Sequence, residues 1–187
     1  MREKTQLNLE LSPTINSLPE LAEAENACTR CPLYKDDLSG KPFVGPAGRV
    51  LDRALADAGI PRTEVFVTNA VKHFKHDMRG KRRLHKRPNN YEIERCKIWL
   101  VTECNIVRPV AIVALGATAA RSLFGRPVTI NKVRGQALRL ANGTAAFVTI
   151  HPSYLLRIED HGDKRREYRN FVSDLEPAAK ILARQAA

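Results

Sequence analysis

Short, continuously apolar segments that alternate with helical segments are the feature that most constrains the fold of this chain. Residues 64–72, 109–115 and 145–150 have the length and composition of strands that are buried on both faces. Apolar spacing and capping signals predict helices over 17–27, 47–58, 89–108, 117–124 and 163–184. Such alternation predicts an α/β protein, a three-layer α/β/α sandwich around a parallel sheet.

The remaining segments are predicted to be connections. Residues 28–48, dense in Pro and Gly, and the polar residues 73–88 are predicted loops, and 137–140 is a predicted short edge strand. The length of 187 residues fits a single domain over 1–187, with residues 1–16 as an N-terminal extension. Alternating leucines at 7–11 give that extension a weak strand signal.

Chemically distinctive residues follow each predicted core strand. Asn69 and His73 come at the end of the first strand, Gly116 follows the second, and His151 follows the third. Ligands of open parallel sheets bind beyond the carboxyl ends of the strands. We therefore expect one active pocket at this edge of the sheet.

The charge balance indicates a polyanionic partner. The chain has 31 Lys and Arg against 20 Asp and Glu, a net charge of +11. The basic residues concentrate in a loop-like stretch and not on an amphipathic helix, which favours nucleic acid over a membrane surface. No apolar run approaches the ~20 residues of a membrane span and no signal core begins the chain, so the expected location is the cytoplasm.

Four cysteines suggest a metal site. Cys28 and Cys31 form a C-x-x-C pair, the spacing of two ligands to one metal or cluster. Cys96 and Cys104 lie on one predicted helix about 12 Å apart, too far to share one compact cluster. One of the two is therefore expected in the core, and the nearest candidate for a further ligand is His73.

The densest charge run contains a histidine. His85 follows Lys81, Arg82 and Arg83, and this run is either a solvated phosphate grip or the surroundings of a nucleophile. Neighbouring cations are expected to lower the pKa of His85 and so keep its imidazole neutral.

Two further motifs carry candidate site residues. Phe43 lies in GKPFVGPAG, which is either a tight turn before a helix or a loop that stacks an aromatic ring on a flat ligand. His151 begins HPSYLLR and could stabilise an anionic leaving group, with Arg157 nearby and Ser153 available to bind a phosphate.

In chain order, these motifs resemble the uracil-DNA glycosylase superfamily, specifically its iron–sulfur branch of family 4 and the related UdgX type. The resemblance rests on CTRCPLY, GKPFVGPAGRVLD, VTNAVKHFK, KRRLH, CKIWL, VALGATAA and HPSYLLR. It runs from Cys28 to about Asp174, and the KRRLH loop distinguishes the UdgX type.

The resemblance implies a cofactor and a division of roles. Cys28, Cys31, His73 and Cys96 would hold a [4Fe–4S] cluster, with Cys104 left in the core. Phe43 would stack on a flipped-out uracil and Asn69 would hydrogen-bond its polar edge. His151 would stabilise the departing uracil, and His85 would attack the sugar C1′ to join the protein covalently to abasic DNA. The implied partner is uracil-containing DNA, expected in single-stranded form, bound by a monomer.

One departure from the family separates this chain from its expected relatives. They carry an apolar strand between the C-x-x-C segment and the Pro-Phe-Val-Gly-Pro motif, followed by a Gly-Glu-x-Pro-Gly-type loop with an acidic residue. Here CPLYKDD runs directly into LSGKPFVG, with Asp37 and Leu38 at the junction. The expected consequences are a sheet short of one core strand, unless 7–11 fills its place, and weakened or lost catalysis.

Two other functions remain open at this stage. A non-catalytic protein that binds uracil or abasic sites in DNA needs the same binding residues but no bond cleavage. An iron–sulfur redox or RNA-binding protein would show no preference for uracil in DNA, and it leaves HPSYLLR and GKPFVGPAG unexplained.

Overall fold

The predicted helices and two of the three predicted core strands form in the structure, a computed structural model that describes residues 15–35, 42–73, 75–80 and 82–185. In chain order the elements are α1 (Leu18–Asn26), α2 (Pro46–Asp57), β1 (His76–Arg79), β2 (Arg82–His85), α3 (Asn90–Val107), β3 (Ala111–Leu115), α4 (Gly116–Phe124), α5 (Ile130–Val133), β4 (Leu138–Arg139), β5 (Ala145–Thr149) and α6 (His161–Gln185). Short 3₁₀ helices cover Pro32–Lys35, Arg62–Glu64 and Pro152–Arg157.

Helix α3 begins at the capping box that the sequence predicts. The Glu92 amide donates to the Asn89 side chain at 2.9 Å, and the Asn89 amide donates to the Glu92 carboxylate at 2.7 Å. Two of the orphan N–H groups at the helix start are thereby satisfied. The helix ends at Arg108, whose left-handed backbone (φ 49°) turns the chain into β3.

The central sheet has three strands in the order β3-β5-β4. β3 and β5 are parallel, whereas the short β4 pairs antiparallel to β5, so the sheet is mixed and not wholly parallel. Val113 packs with Leu51 of α2 and Phe171 of α6 in one core cluster. The next residue along the strand, Ala114, packs with Ala120 of α4 in another. Helices thus cover both faces, and the predicted α/β fold is confirmed.

The predicted strand over 64–72 is wrong. Its first residue ends the 3₁₀ helix Arg62–Glu64, Val65 has an extended backbone, and residues 65–69 pair with no strand among the described residues. Within that part of the chain β3 is an edge strand. Neither β3 nor residues 65–69 therefore have the backbone hydrogen-bond partner that a strand inserted between them would provide. Side chains hold the segment instead: the Thr68 hydroxyl donates to Glu103 at 2.6 Å, and the Lys72 ammonium lies 2.5 Å from the same carboxylate.

The predicted loop over 73–88 is also wrong, because it contains an antiparallel hairpin. β1 pairs with β2 in a register that sets His76 opposite His85 and Arg79 opposite Arg82. Gly80, at φ 60°, opens the two-residue connection. The strands carry no alternation of apolar residues, which is why the sequence pattern did not indicate them.

Three sequence predictions concern residues outside the described part: the 7–11 strand signal, the junction at Asp37 and Leu38, and Lys81. Among the described helices, none combines the length and apolar character needed to cross a bilayer.

Candidate active site

His151 lies directly after the last core strand, where the sequence places it. Its Nδ1 accepts a hydrogen bond from the Ser153 amide at 3.1 Å and lies 2.8 Å from the Ser153 hydroxyl oxygen. Because a backbone N–H can only donate, Nδ1 carries no proton, and a neutral ring must carry its proton on Nε2. The 3₁₀ turn therefore fixes the tautomer of His151 and makes Nε2 a donor.

The surroundings of His151 keep this imidazole neutral. Burial lowers its pKa, and the charges of His85 and Arg157 lower it further. A neutral imidazole with its proton on Nε2 can donate a hydrogen bond to a developing anion. His85 of the hairpin is within electrostatic range of His151, since its charge is one cause of the lowered pKa.

Phe43 faces this histidine from the loop before α2. The ring centroids are 5.5 Å apart with an interplanar angle of 26°, a stacked arrangement. Phe43 has a positive φ of 58°, a left-handed conformation that is strained for a bulky residue. Gly48 makes this possible, since a Cβ at that position would lie 1.6 Å from the Phe43 carbonyl oxygen.

A cavity of about 580 Å³ opens at the carboxyl ends of β3 and β5, where a ligand site is expected. Its lining comprises Gly116, Ala117, Ile130, Asn131, Arg134, Ile150, His151, Tyr154, Arg157 and Glu167. Gly116 (φ 86°) permits close approach of α4, because a Cβ there would meet the His151 Cβ at 3.0 Å. Glu167 is the carboxylate of this lining, and Arg134 Nη1 lies 2.5 Å from it.

Asn69 is not brought to this cavity. It is exposed at the end of the extended segment 65–69 and is absent from the described lining. The segment that carries it pairs with no strand in the described part of the chain, so the sheet does not fix its position. Its predicted contact with uracil stays a prediction.

His85 ends β2 on the hairpin, and the direction of its predicted pKa change is confirmed. Partial burial lowers the pKa of His85. The predicted contribution of Lys81, Arg82 and Arg83 stays a prediction, because their side chains lie outside the described part of the chain. Arg82 and Arg83 precede it on the same strand. The roles predicted for these residues, for Ser153 and for Arg157 stay predictions.

Three of the four predicted cluster ligands lie near one another. Electrostatic effects of Cys28 and Cys31 both contribute to the raised pKa of Cys96, which burial brings to about 11. The Trp99 indole donates to the Cys28 sulfur at 3.2 Å, and the Lys72 amide donates to the Cys96 sulfur at 3.1 Å.

The fourth predicted ligand, His73, is buried directly after Lys72. Among the described residues, no group of three His, Cys, Asp or Glu side chains has the arrangement of a metal site. The donor types nevertheless suit an iron–sulfur cluster, since N–H groups directed at cysteine sulfur tune such clusters. Cys104 is half-buried and burial raises the pKa of its thiol, so its predicted place in the core stays a prediction.

Sequence reasoning missed two residues that support these sites. Trp99 follows Cys96 by three positions on α3, a spacing that places both on one helix face. This spacing could have indicated that Trp99 lies beside the cysteine group. Gly48 had no local signal, because its requirement depends on a backbone that approaches from Phe43.

Residues 28–176 match the family described as the Uracil DNA glycosylase superfamily. The chain is 32% identical to the Type-4 uracil-DNA glycosylase of Thermotoga maritima over 194 aligned positions, covering 88% of this chain and 94% of that protein. It is 30% identical to the Type-4 uracil-DNA glycosylase of Pyrobaculum aerophilum, covering 75% of this chain and 85% of the relative. The Thermotoga alignment is longer than the 187-residue chain, so the relative contains positions without a counterpart here. The chain therefore belongs to the uracil-DNA glycosylase superfamily, in the branch of the type-4 enzymes.

Proposed function

We propose that this protein excises uracil from DNA and captures the resulting sugar through His85, in the manner of the UdgX type. The observation that carries the proposal is the grouping at the end of β5: a neutral His151 with its donor on Nε2, stacked by Phe43 and within electrostatic reach of His85. Membership of the type-4 branch supports uracil in DNA as the substrate.

His151 acts on the leaving group. As the bond between C1′ and the uracil nitrogen breaks, its electron pair moves onto the base and charge develops on the uracil oxygens. The Nε2–H of His151 donates a hydrogen bond to that charge. Phe43 provides an aromatic face for the extruded base.

His85 acts on the sugar. Its lowered pKa favours the neutral imidazole, the nucleophilic form that bonds to C1′ as the uracil bond breaks. The ring then carries a positive charge, its remaining N–H proton passes to solvent, and the uracil anion takes up a proton from solvent. The product is a neutral imidazole bonded to abasic DNA together with free uracil.

We expect uracil excision to be slow, and capture of the sugar by His85 to be favoured over its hydrolysis by water. A water molecule needs a base to attack C1′, and Glu167, the carboxylate of the described cavity lining, is engaged by Arg134. The acidic residue that the family carries after its first core strand has no counterpart in the sequence. The imidazole of His85 is a nucleophile that is neutral without the help of a base. Its attack on C1′ therefore needs neither Glu167 nor the missing acidic residue.

Cys28, Cys31, Cys96 and His73 would hold the [4Fe–4S] cluster. When bound, the cluster would brace the DNA-binding loops mechanically, since cleavage of the glycosyl bond transfers no electrons. Trp99 and the Lys72 amide orient two of the sulfurs through their N–H groups.

We further infer that the chain acts as a monomeric single domain in the cytoplasm, on single-stranded DNA. The net charge of +11 supports binding to the phosphate backbone of either DNA form. Extruding a nucleotide from a duplex costs unpairing energy, whereas extruding it from single-stranded DNA does not.

A second candidate function is uracil or abasic-site binding without bond cleavage. The exposed position of Asn69 and the missing acidic loop favour it. It predicts that uracil-containing DNA is bound and recovered intact, with the base still attached.

Release of free uracil from single-stranded DNA separates the two functions. Wild-type protein is expected to release uracil in at most one equivalent per protein molecule. His151→Phe keeps an aromatic ring beside Phe43 but removes the donor, and should lower the release rate by about 100-fold or more. Specific binding with no release by the wild-type protein would support the binder and overturn the enzyme.

A further inference from the structure

The cavity at the ends of β3 and β5 extends beyond the groups that the proposed function assigns to the uridine. Of those groups, His151 lines the cavity. Its described lining does not include the other three, Phe43, Asn69 and His85. The volume of about 580 Å³ lies within the range of about 300–1,000 Å³ for whole small-molecule ligands, and it exceeds the space that one pyrimidine ring needs. The cavity therefore has room for a second ring beside the uracil.

Glu167 provides a hydrogen-bond acceptor in this additional space. Its carboxylate lines the cavity from the first half of α6, with 19% of the side chain exposed. A carboxylate that is paired with an arginine accepts hydrogen bonds and donates none. Arg134 Nη1 lies 2.5 Å from one of its oxygens and compensates its charge, so the carboxylate can lie close to DNA.

A chain of contacts fixes the position of Glu167. The Arg134 Nε group donates to Asp174 at 2.8 Å, and the Thr149 hydroxyl donates to the same oxygen of Asp174 at 2.5 Å. Asp174 and Thr149 are buried, so the chain of contacts reaches from the cavity to the end of β5. The Asn170 amide donates to the second oxygen of Glu167 at 3.3 Å. An acceptor held in this way can discriminate between bases, because it does not move to suit the wrong one.

Guanine is the base that matches two neighbouring acceptors. Its Watson–Crick edge presents two adjacent donors, N1–H and the 2-amino group, and no other DNA base places two N–H donors side by side. A carboxylate offers about four acceptor sites, and the contacts with Arg134 and Asn170 use one on each oxygen of Glu167. One site on each oxygen is left for a bidentate contact. Asn131 lines the same cavity, and its amide can donate to guanine O6.

We propose that this cavity is a flanking-base pocket, which binds guanine in the nucleotide next to the extruded uridine. The inference rests on the proposed function in one respect: His151 faces the uracil, which places the pocket one nucleotide along the strand. Contacts to the nucleotides that flank an extruded base set the sequence context in which an enzyme acts. The Watson–Crick edge of guanine is free in single-stranded DNA and paired in a duplex, so the pocket also gives a reason for a single-stranded substrate.

Binding to a strand that resists cleavage tests the flanking-base pocket without requiring chemistry. The probes are labelled single-stranded oligonucleotides with one 2′-fluoro-2′-deoxyuridine, flanked on its 5′ or 3′ side by guanine, hypoxanthine, adenine or thymine. The same strands with thymidine in place of the uridine analogue are the controls. Guanine on one of the two sides should lower the Kd, measured by fluorescence anisotropy, about tenfold relative to adenine or thymine. Hypoxanthine lacks the 2-amino group and should lose most of that gain.

Two variants test the residues that are assigned to guanine. Glu167→Gln should reduce the guanine preference to less than threefold, because its amide sets a donor against one of the two guanine donors. A merely structural role would weaken the binding of all strands equally and leave the preference intact. Asn131→Ala changes an exposed position, which does not burden the fold, and should reduce the preference about threefold. Glu176→Gln is the matched control, since Glu176 is exposed on the same helix, and it should keep the full preference.

The outcomes separate this inference from the proposed function. Equal Kd values for all flanking bases, with the uridine analogue still bound more tightly than thymidine, would overturn the flanking-base pocket alone. So would a guanine preference that survives both Glu167→Gln and Asn131→Ala, or one that Glu176→Gln removes to the same extent. No preference of the wild-type protein for the uridine analogue over thymidine would overturn the proposed function and the pocket together.

Discussion

At the scale of single residues, the site depends on a backbone conformation that Phe43 adopts at the expense of strain. A left-handed φ at a bulky residue costs about 1–3 kcal/mol and persists only where the surroundings enforce it. Here the enforcing contact is the close approach of the Phe43 carbonyl to Gly48, at the first turn of α2. The stacked geometry with His151 is thus set by a glycine that touches neither ring.

Gly48→Ala is expected to damage the site. The added methyl group would lie 1.6 Å from the Phe43 carbonyl oxygen, so the loop must move and the stack with His151 must open. Release of uracil should fall at least tenfold, measured as free base from single-stranded DNA.

Gly45→Ala is the matched control for this variant. Gly45 has no atom within 4 Å of an added Cβ, so Ala at this N-cap costs at most about 1 kcal/mol of stability and forces no movement of the Phe43 loop. Activity should stay close to that of the wild-type protein. Equal effects of the two substitutions would contradict the role assigned to Gly48.

The sequence predicted some of the residues that meet at the end of the sheet, but not how they are held, and Asn69, which it also placed there, is absent from the described cavity lining. His151, Gly116 and Phe43 could be placed because strand ends and a Pro-Gly-rich loop are local signals. The tautomer of His151 could not, since it depends on the orientation of the Ser153 amide. The lowered pKa of His85 was predicted, but the sequence did not indicate that burial contributes to it, since burial is a property of the fold.

At the scale of elements, the predicted strand over 64–72 and the predicted loop over 73–88 are wrong for opposite reasons. Residues 64–72 have a strand sequence but lack a partner, and an extended segment without ladder hydrogen bonds is not a strand. Residues 76–85 have a polar sequence but form a hairpin, because a glycine turn and local pairing outweigh the weak propensity of the strands. Pairing is a tertiary property, which a local pattern does not contain.

Glu103→Ala is expected to destabilise the extended segment. Lys72 and Glu103 are 6% and 5% exposed at their side chains, and removal of the carboxylate leaves a buried ammonium without its closest partner. The loss should be about 3 kcal/mol of unfolding free energy, measured by denaturant titration.

Glu94 provides the control for that experiment, because it lies on the same helix and is exposed. Glu94→Ala should change the unfolding free energy by less than about 0.5 kcal/mol. A similar small change for Glu103→Ala would show that the buried carboxylate does not hold the segment.

At the scale of the whole molecule, the proposed cluster would connect three segments that are distant in the sequence. Cys28 comes from the end of α1 and Cys96 from α3, while His73 follows the extended segment that the sheet does not hold. A metal cluster that joins these segments would replace part of the stability that a missing strand removes.

His73→Ala is therefore expected to lower the iron and acid-labile sulfide content of the purified protein by at least half. Cys104→Ser should leave both contents unchanged, since Cys104 is assigned to the core. Both quantities are measured by colorimetric assay on anaerobically purified protein. Full iron content in the His73 variant, or loss in the Cys104 variant, would contradict the ligand assignment.

Covalent capture is the central claim, and a denaturing gel tests it most directly. The purified protein is mixed with fluorescently labelled single-stranded DNA that contains one uracil, and the sample is heated in detergent before electrophoresis. The account predicts a heat-stable band of protein-linked DNA that requires uracil, increases with time to at most one equivalent, and is absent with His85→Ala. Free uracil without such a band, or a band that survives His85→Ala, would contradict capture through His85.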